Sequence, residues 1–128
     1  MLAAGSLAAE PFSHKRHAAM KMKCTACHAT AESAAQAGFP ALTKCQTCHP
    51  DMAALPARSA RVYRVKDFVF FNHQRHADAK VVCATCHGEV FTMDTLKQER
   101  PVTMVACVAC HKEQKASIAC NLCHELGQ

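Results

Sequence analysis

The ten cysteines of this 128-residue chain fall into five pairs, each a C-x-x-C segment followed immediately by histidine. This spacing is the attachment signature of a c-type haem, whose two vinyl groups form thioethers with the two thiols. The histidine that follows then ligates the iron from one side. The sequence therefore predicts five covalently bound haems c, and thus five irons. The five motifs are Cys24, Cys27 and His28; Cys45, Cys48 and His49; Cys83, Cys86 and His87; Cys107, Cys110 and His111; Cys120, Cys123 and His124.

Three other uses of paired cysteines fit this pattern less well. Structural zinc sites use C-x-x-C pairs, but they have no need for a histidine directly after every second cysteine. Cysteines in C-x-x-C pairs form redox-active rather than structural disulfides. A thioredoxin-like redox motif occurs singly, in a strand–helix–strand context that this sequence lacks. Chance placement of histidine after all five pairs is excluded by the count, since only nine of 128 residues are histidine.

The remaining four histidines lie in two copies of one short segment. Residues 71–87 match residues 12–28 at 9 of 17 positions, and each copy runs from Phe-x-His-x-x-His to C-x-x-C-H. Histidines three residues apart on a helical turn project to one side but diverge, so each can meet a different iron. We therefore predict four distal iron ligands: His14, His17, His73 and His76.

The Phe-x-His-x-x-His segment followed by closely spaced C-x-x-C-H motifs resembles the small multihaem cytochromes of the c3 and c7 families. Residues 62–124 resemble a three-haem c7 unit, and residues 12–49 resemble the same unit without its last haem. In those families the first histidine of the segment ligates the next haem, and the second ligates the haem after it. The resemblance thus implies four ligand pairs: His14 with His28, His17 with His49, His73 with His87, and His76 with His111.

The same resemblance leaves the fifth haem, at His124, without a distal histidine. Three-haem units of these families have a further histidine shortly before their second motif, where this chain has Met104. Met104 is the first candidate for a distal ligand and Met93 the second; a thioether would raise the haem potential. The alternatives are an open or water-bound iron, a histidine from another chain, or a Met104 that only packs against porphyrin.

The scarcity of large apolar side chains predicts a mostly irregular fold with short α-helices, minimal β-structure and a core of haem. Aromatic residues make up 5% of the chain, which has no tryptophan, and so poor a core needs a cofactor. We expect helical turns at each haem motif and helix over residues 29–37 and 112–118. The resemblance implies a strand over residues 62–71. Six side chains are expected to pack on porphyrin faces: Phe12, Phe39, Phe68, Phe70, Phe71 and Phe91.

The motifs divide the chain into two haem-binding units. Residues 1–9 are interpreted as a signal-peptide remnant or a disordered N-terminus, because small apolar residues end there in a small-x-small sequence. Residues 10–52 form the predicted two-haem unit, residues 53–61 a linker, and residues 62–128 the three-haem, c7-like unit.

The formal charge of +5 does not indicate nucleic-acid binding. Five haems would add about ten propionate charges, so the basic residues are better explained as propionate partners or a docking face. No apolar run approaches the roughly 20 residues that span a bilayer. We expect other redox proteins as donor and acceptor, with the oligomeric state left open. C-type haem attachment places the protein in the periplasm or outside the cell.

Two functions of different classes fit these features. The first is an electron carrier, because irons with two histidine ligands have low potentials and no position for substrate. The second is a multihaem reductase with an open catalytic site at the fifth haem, near Lys97, Arg100 and Lys112. A subunit of a larger complex or of an extracellular filament is a further alternative.

Overall fold

The computed structural model describes residues 11–56 and 61–126, where the chain forms short helices joined by turns. The longest, α5, has ten residues, and no helix in these ranges is long and apolar enough to span a membrane. The absence of strands from the described ranges confirms the predicted fold class. The helices are α1 His14–His17, α2 Leu42–Gln46, α3 His73–Asp78, α4 Ala84–His87, α5 Met104–Glu113 and α6 Cys120–Cys123, with 3₁₀ turns at Ala18–Met20, Cys24–Ala26 and Val90–Thr92.

Two of the expected segments lie wholly or partly outside the described residues. The N-terminal segment, residues 1–9, is one of them. Residues 57–60 of the expected linker are the other, so the division into units at residues 53–61 stays a prediction.

Helices α1 and α3 begin alike because the repeat places a capping side chain before each. Ser13 Oγ and Asn72 Oδ1 each accept a hydrogen bond at 3.2 Å from the backbone N–H three residues later. Such a cap stabilises a helix by about 1 kcal/mol. Beyond each helix a lysine takes the left-handed conformation, Lys21 with φ 49° and Lys80 with φ 61°. The repeat seen in the sequence thus extends to the backbone.

Each haem motif lies on a helical turn, as predicted. In four motifs the N–H of the histidine donates to the carbonyl of the first cysteine at 2.8 to 3.0 Å. The remaining motif, which ends at His111, lies inside α5. A helical turn brings residues three and four apart to one face, so both thiols and the imidazole of a motif point the same way.

The helix expected over residues 29–37 is not formed. The carbonyls of Ala34 and Ala35 accept backbone hydrogen bonds from Gln74 at 3.1 Å and His73 at 3.0 Å. The first turn of a helix is costly to form, and a helix as short as this one recovers little of that cost. Contacts with the second copy therefore decide its conformation in place of local propensity.

The helix expected over residues 112–118 forms only in its first two residues. Helix α5 ends at Glu113, and Lys115 then adopts a left-handed conformation with φ 54°. The Ala116 N–H donates to the His111 carbonyl at 2.7 Å and closes the end of the helix. The left-handed residue reverses the chain direction, which is a common way for a helix to stop.

The strand implied for residues 62–71 is also absent from the described structure. A strand needs a neighbouring strand to satisfy its backbone groups, and none is present in residues 11–56 and 61–126. The Val69 N–H instead closes a turn to the Lys66 carbonyl at 2.9 Å. The Phe70 N–H donates to the Cys123 carbonyl at 2.8 Å, so this segment supports the last haem motif.

The described chain has no side-chain core. None of its hydrophobic side chains is buried, and the one buried polar residue among the described positions is Ser13, at 7% exposure. Large apolar side chains lie open instead, including Phe68 and Met104, each 68% exposed. The prediction that side chains alone do not fill this fold is confirmed.

The two copies of the repeat pack against each other through α1. The Lys15 N–H donates to the Met93 carbonyl at 3.1 Å, beside the turn Val90–Thr92. Asp94 accepts hydrogen bonds from Ser13 Oγ at 2.9 Å and from Lys15 Nζ at 3.1 Å. The hydrogen bond from Lys15, and then that from Ser13, lowers the pKa of Asp94.

This pKa shift predicts a pH-dependent effect of Asp94→Asn. Because the pKa of Asp94 is lower in the folded state than in the unfolded state, its ionised carboxylate stabilises the fold. This stabilisation is complete at pH values above the ordinary carboxyl pKa, and it is lost as the pH falls through the lower, folded-state pKa. We expect the haem-loaded variant to melt below wild type at pH 7 and to match it in strong acid. Thermal unfolding by circular dichroism tests this, with Asp78→Asn as a control that makes the same charge change. An Asp94→Asn difference of equal size at both pH values would contradict the explanation.

Candidate haem-binding sites

We number the sites 1 to 5 by the order of their C-x-x-C-H motifs along the chain. Three implied ligand pairs face each other with ring centroids 6.2 to 6.5 Å apart. A metal–imidazole bond is about 2 Å long, so two imidazoles on opposite sides of one metal have centroids roughly 6 to 6.5 Å apart. The spacing therefore fits two imidazoles on one iron. The pairs are His14 with His28 at 6.5 Å, His17 with His49 at 6.3 Å, and His76 with His111 at 6.2 Å.

The fourth implied pair is His73 with His87 at site 3, and the effect of one ring on the pKa of the other indicates that the two are close. Burial lowers the pKa of His87, and the positive charges of His73 and His28 lower it further. Burial also lowers the pKa of His14, followed by the charges of His28 and His17. A lowered pKa favours the neutral imidazole, which is the form that can ligate iron.

Backbone carbonyls hold six of the histidine rings by their Nδ1 atoms. A carbonyl can only accept, so Nδ1 carries the proton and Nε2 keeps the lone pair for a metal. Such a contact also orients the ring before any metal is bound. The contacts are His17 with Ser13 at 2.9 Å, His28 with Gly38 at 2.8 Å, His73 with Ala35 at 2.9 Å, His76 with Asn72 at 2.8 Å, His111 with Ser117 at 2.7 Å, and His124 with Phe68 at 3.2 Å.

In each copy the leading phenylalanine contacts both histidines that follow it. Phe12 and Phe71 each meet the first histidine edge-on, at 4.9 and 4.8 Å, and stack on the second at 4.7 Å. One aromatic ring thus orients two neighbouring imidazoles. Phe39, Phe68 and Phe91 also contact histidine rings, at 5.8 to 6.2 Å. Whether the phenylalanines pack on porphyrin stays a prediction.

The ten thiols are free in this structure. None of the ten cysteines is in a disulfide bond. The described ranges also contain no cluster of three or more histidine, cysteine or acidic side chains that could hold a metal ion. Each motif offers instead two thiols and one imidazole on a single turn, which is the ligand set that c-type haem requires.

Thiols of different motifs lie close to one another. Burial raises the pKa of Cys24, and the charge of Cys83 and a hydrogen bond with it raise that pKa further. Burial also raises the pKa of Cys86, followed by the charges of the two cysteines of the fourth motif. The pKa of Cys107 is raised by burial and then by the charge of Cys123. Sites 1 and 3, sites 3 and 4, and sites 4 and 5 are therefore neighbours.

Site 5 differs from the others in its surroundings. His124 packs against Phe68, with ring centroids 5.8 Å apart. Beside it is a cavity of about 440 Å³. No described histidine ring pairs with His124 in the way seen at sites 1, 2 and 4. The residues that line the cavity with His124 are Asp67, Phe68, Phe70 and Glu125.

Comparison with known families agrees with this geometry. The family model for cytochrome c3 matches residues 16–92, which is more than half of the chain. The chain belongs to the cytochrome c3 family. A second model, described as cytochrome c7 and related cytochrome c, matches residues 69–125. No curated protein matches the chain. The predicted resemblance is thus confirmed at the level of a small multihaem cytochrome, a class of electron carriers that bind haem c.

Met104 begins helix α5 of this cytochrome. It shares a helix face with Cys107, three residues on, and Cys107 is the thiol that lies near Cys123 of site 5. Met93 lines a different cavity from the one beside His124; this second cavity has a volume of about 540 Å³, and Glu99 also lines it. Met104 therefore stays the first candidate for the distal ligand of site 5 and Met93 the second.

Sequence reasoning missed Tyr63, which supports site 3 of the cytochrome. Its ring packs edge-on against His87 at 4.5 Å, and its hydroxyl accepts a hydrogen bond from the Glu99 N–H at 2.7 Å. No local pattern marks this residue, since its partners are distant in the sequence. Gly38 was also missed; its carbonyl accepts the hydrogen bond from His28 Nδ1 of site 1, and a glycine that can take a left-handed φ, here 71°, was the available signal.

Proposed function

We propose that this cytochrome binds five haems c and passes single electrons between partner redox proteins. A bound haem c supplies a one-electron ferric–ferrous couple, which has a low potential when both ligands are imidazoles. The observation that carries the proposal is the 6.2 to 6.5 Å spacing of three histidine pairs, one of them at each of sites 1, 2 and 4. The protein works in the periplasm or outside the cell, as members of these families typically do.

The roles proposed for the side chains follow from their positions on the turns. The ten cysteines form the thioethers, and the histidine after each pair is the proximal ligand. The distal ligands are the histidines of α1 and α3. Because two imidazoles then hold each of four irons, no coordination position is left there for a substrate. This ligand set suits an electron carrier. The distal ligands are His14 at site 1, His17 at site 2, His73 at site 3 and His76 at site 4.

The haems are divided between two units in this proposal. Residues 10–52 hold two, residues 62–128 hold three, and residues 53–61 link the units. The repeated caps, left-handed lysines and phenylalanine contacts support two related halves. The fifth motif, Cys120–Cys123 with the next histidine, is an addition to the second half.

Haem counting tests the proposal directly. We expect the intact protein, expressed with haem-attachment machinery, to have the mass of the chain plus five haems. A variant with Cys83→Ala and Cys86→Ala should lose one haem. The matched control Thr85→Ala lies in the same turn and should keep all five. A wild-type protein with fewer than five attached haems would overturn the count.

For site 5 we propose Met104 as the sixth ligand. Its thioether is a soft donor that suits haem iron and raises its potential above that of a bis-histidine haem. We expect Met104→Ala to gain one high-spin haem and to lose the highest-potential redox step. Val105→Ala, at the next and more exposed position of α5, is the control and should change neither. Electron paramagnetic resonance and a redox titration measure both effects. If wild type already binds carbon monoxide at one haem and Met104→Ala behaves identically, Met104 does not ligate.

A further inference from the structure

The two copies of the repeat contact each other reciprocally. The Lys15 N–H donates to the Met93 carbonyl, and the Gln74 N–H donates to the Ala34 carbonyl, both at 3.1 Å. Gln74 is the repeat equivalent of Lys15, and Met93 is the equivalent of Ala34, each 59 residues later. The two bonds are therefore one contact made twice with the roles exchanged. Such reciprocity is the property of a twofold, isologous interface, here formed within a single chain.

A residue near a twofold axis meets its own equivalent, and the first motif of each copy does so. The thiols of Cys24 and Cys83, which are 59 residues apart, lie close enough for the charge of Cys83 to raise the pKa of Cys24 after burial. The Ala35 carbonyl, in the loop after the first motif, accepts hydrogen bonds from the His73 N–H at 3.0 Å and from His73 Nδ1 at 2.9 Å. The Gly38 carbonyl of the same loop accepts a hydrogen bond from His28 Nδ1 of site 1 at 2.8 Å, so one loop holds histidines of both sites. Site 1 and site 3 therefore meet at the boundary between the copies.

Within each copy, one helix joins two sites. Phe12 contacts both histidines of α1, which face the proximal histidines of sites 1 and 2. Phe71 likewise contacts both histidines of α3, the second of which faces His111 of site 4. Sites 1 and 2 are thus neighbours, and so are sites 3 and 4.

Site 5 is attached beside site 4 through two consecutive residues. The Phe70 N–H donates to the Cys123 carbonyl of site 5 at 2.8 Å. The next ring, Phe71, stacks on His76 of site 4 at 4.7 Å. The segment that precedes α3 therefore supports both sites at once.

From these contacts we infer that the five sites form one unbranched series in the order 2, 1, 3, 4, 5. This inference rests on the proposed function, since it assumes that all five sites bind haem. The order differs from the order of the motifs in the sequence, which would place site 2 next to site 3. Sites 2 and 5 are the two ends. The boundary between the copies lies between sites 1 and 3.

The iron positions of the haem-loaded protein test the order. We number each iron by its site and locate the irons by anomalous diffraction from crystals. Of irons 1 and 2, we expect iron 1 to be the one nearer to iron 3, and we expect irons 2 and 5 to lie at the two ends of the series. An iron 2 that is closer than iron 1 to iron 3 would overturn the inference. Fewer than five irons would overturn the proposed function instead, so the two failures are distinguishable.

A pair of variants tests the same order in solution. His14→Ala alters site 1, inside the series, and His17→Ala alters site 2, at its end. Because charge interactions weaken with distance, a changed site shifts the potentials of its neighbours most. We expect His14→Ala to shift the midpoint potential of haem 3 and His17→Ala to leave it unchanged, in redox titrations followed by nuclear magnetic resonance. A larger shift of haem 3 in His17→Ala than in His14→Ala would contradict the order. Mass spectrometry of both variants shows whether five haems are still attached.

Discussion

Haem-free protein is expected to show no cooperative thermal unfolding transition, whereas the haem-loaded protein unfolds cooperatively. The stability of a domain comes mainly from apolar surface removed from water, at about 25 cal/mol per Å². None of the described hydrophobic side chains is buried, so the polypeptide by itself has no such source. In the proposed function, the haems supply the missing apolar surface and tie it covalently to ten positions of the chain.

Expression without haem-attachment machinery, followed by circular dichroism on heating, measures this. A reducing agent keeps the ten thiols from forming disulfides that would hold the unloaded chain together. The loaded protein in the same buffer is the control. A cooperative transition in haem-free protein would show that side chains alone stabilise the fold and would contradict the prediction.

The second large effect is expected from His76→Ala, which should turn one of the five haems high-spin. His76 faces His111 at 6.2 Å, and a carbonyl contact at Nδ1 keeps its Nε2 available for the iron. Removing one imidazole opens a coordination position, so the altered haem should bind carbon monoxide and its potential should rise. Electron paramagnetic resonance and carbon monoxide difference spectra measure the change.

Two further variants on α3 make this result specific. Gln74→Ala lies between the two histidines and should leave every haem low-spin. His73→Ala should also give one high-spin haem, but at site 3, where His87 is the proposed proximal ligand. If His76→Ala kept every haem low-spin with unchanged potentials, His76 would not be a ligand and the assignment at site 4 would be wrong.

The chemistry of the sites could be predicted from the sequence because it is local. Both thiols and the proximal histidine of a motif lie within five consecutive residues, and a single helical turn is enough to orient them. The two Phe-x-His-x-x-His segments are also local, so four distal ligands could be predicted before any fold was known. The poverty of aromatic and large aliphatic residues was sufficient to predict an irregular fold without a side-chain core.

Secondary structure between the motifs was predicted less well, because its backbone partners are distant in the sequence. Residues 29–37 have a helical composition, yet their carbonyls bind Gln74 and His73 of the other copy. The segment ahead of α3 has a strand-like composition, yet Phe70 binds the Cys123 carbonyl. In both places a tertiary hydrogen bond outweighs propensities worth less than about 1 kcal/mol per residue.

The sequence by itself thus determined the number of haem motifs, the candidate ligands and the existence of two related halves. Only the tertiary structure decided how the halves meet: Lys15 with Met93, Gln74 with Ala34, and His73 with Ala35 in the loop after the first motif. The physical reason is that a repeat specifies two equivalent surfaces but not their mutual orientation. That orientation depends on hydrogen bonds between residues far apart in the chain, which local patterns do not encode.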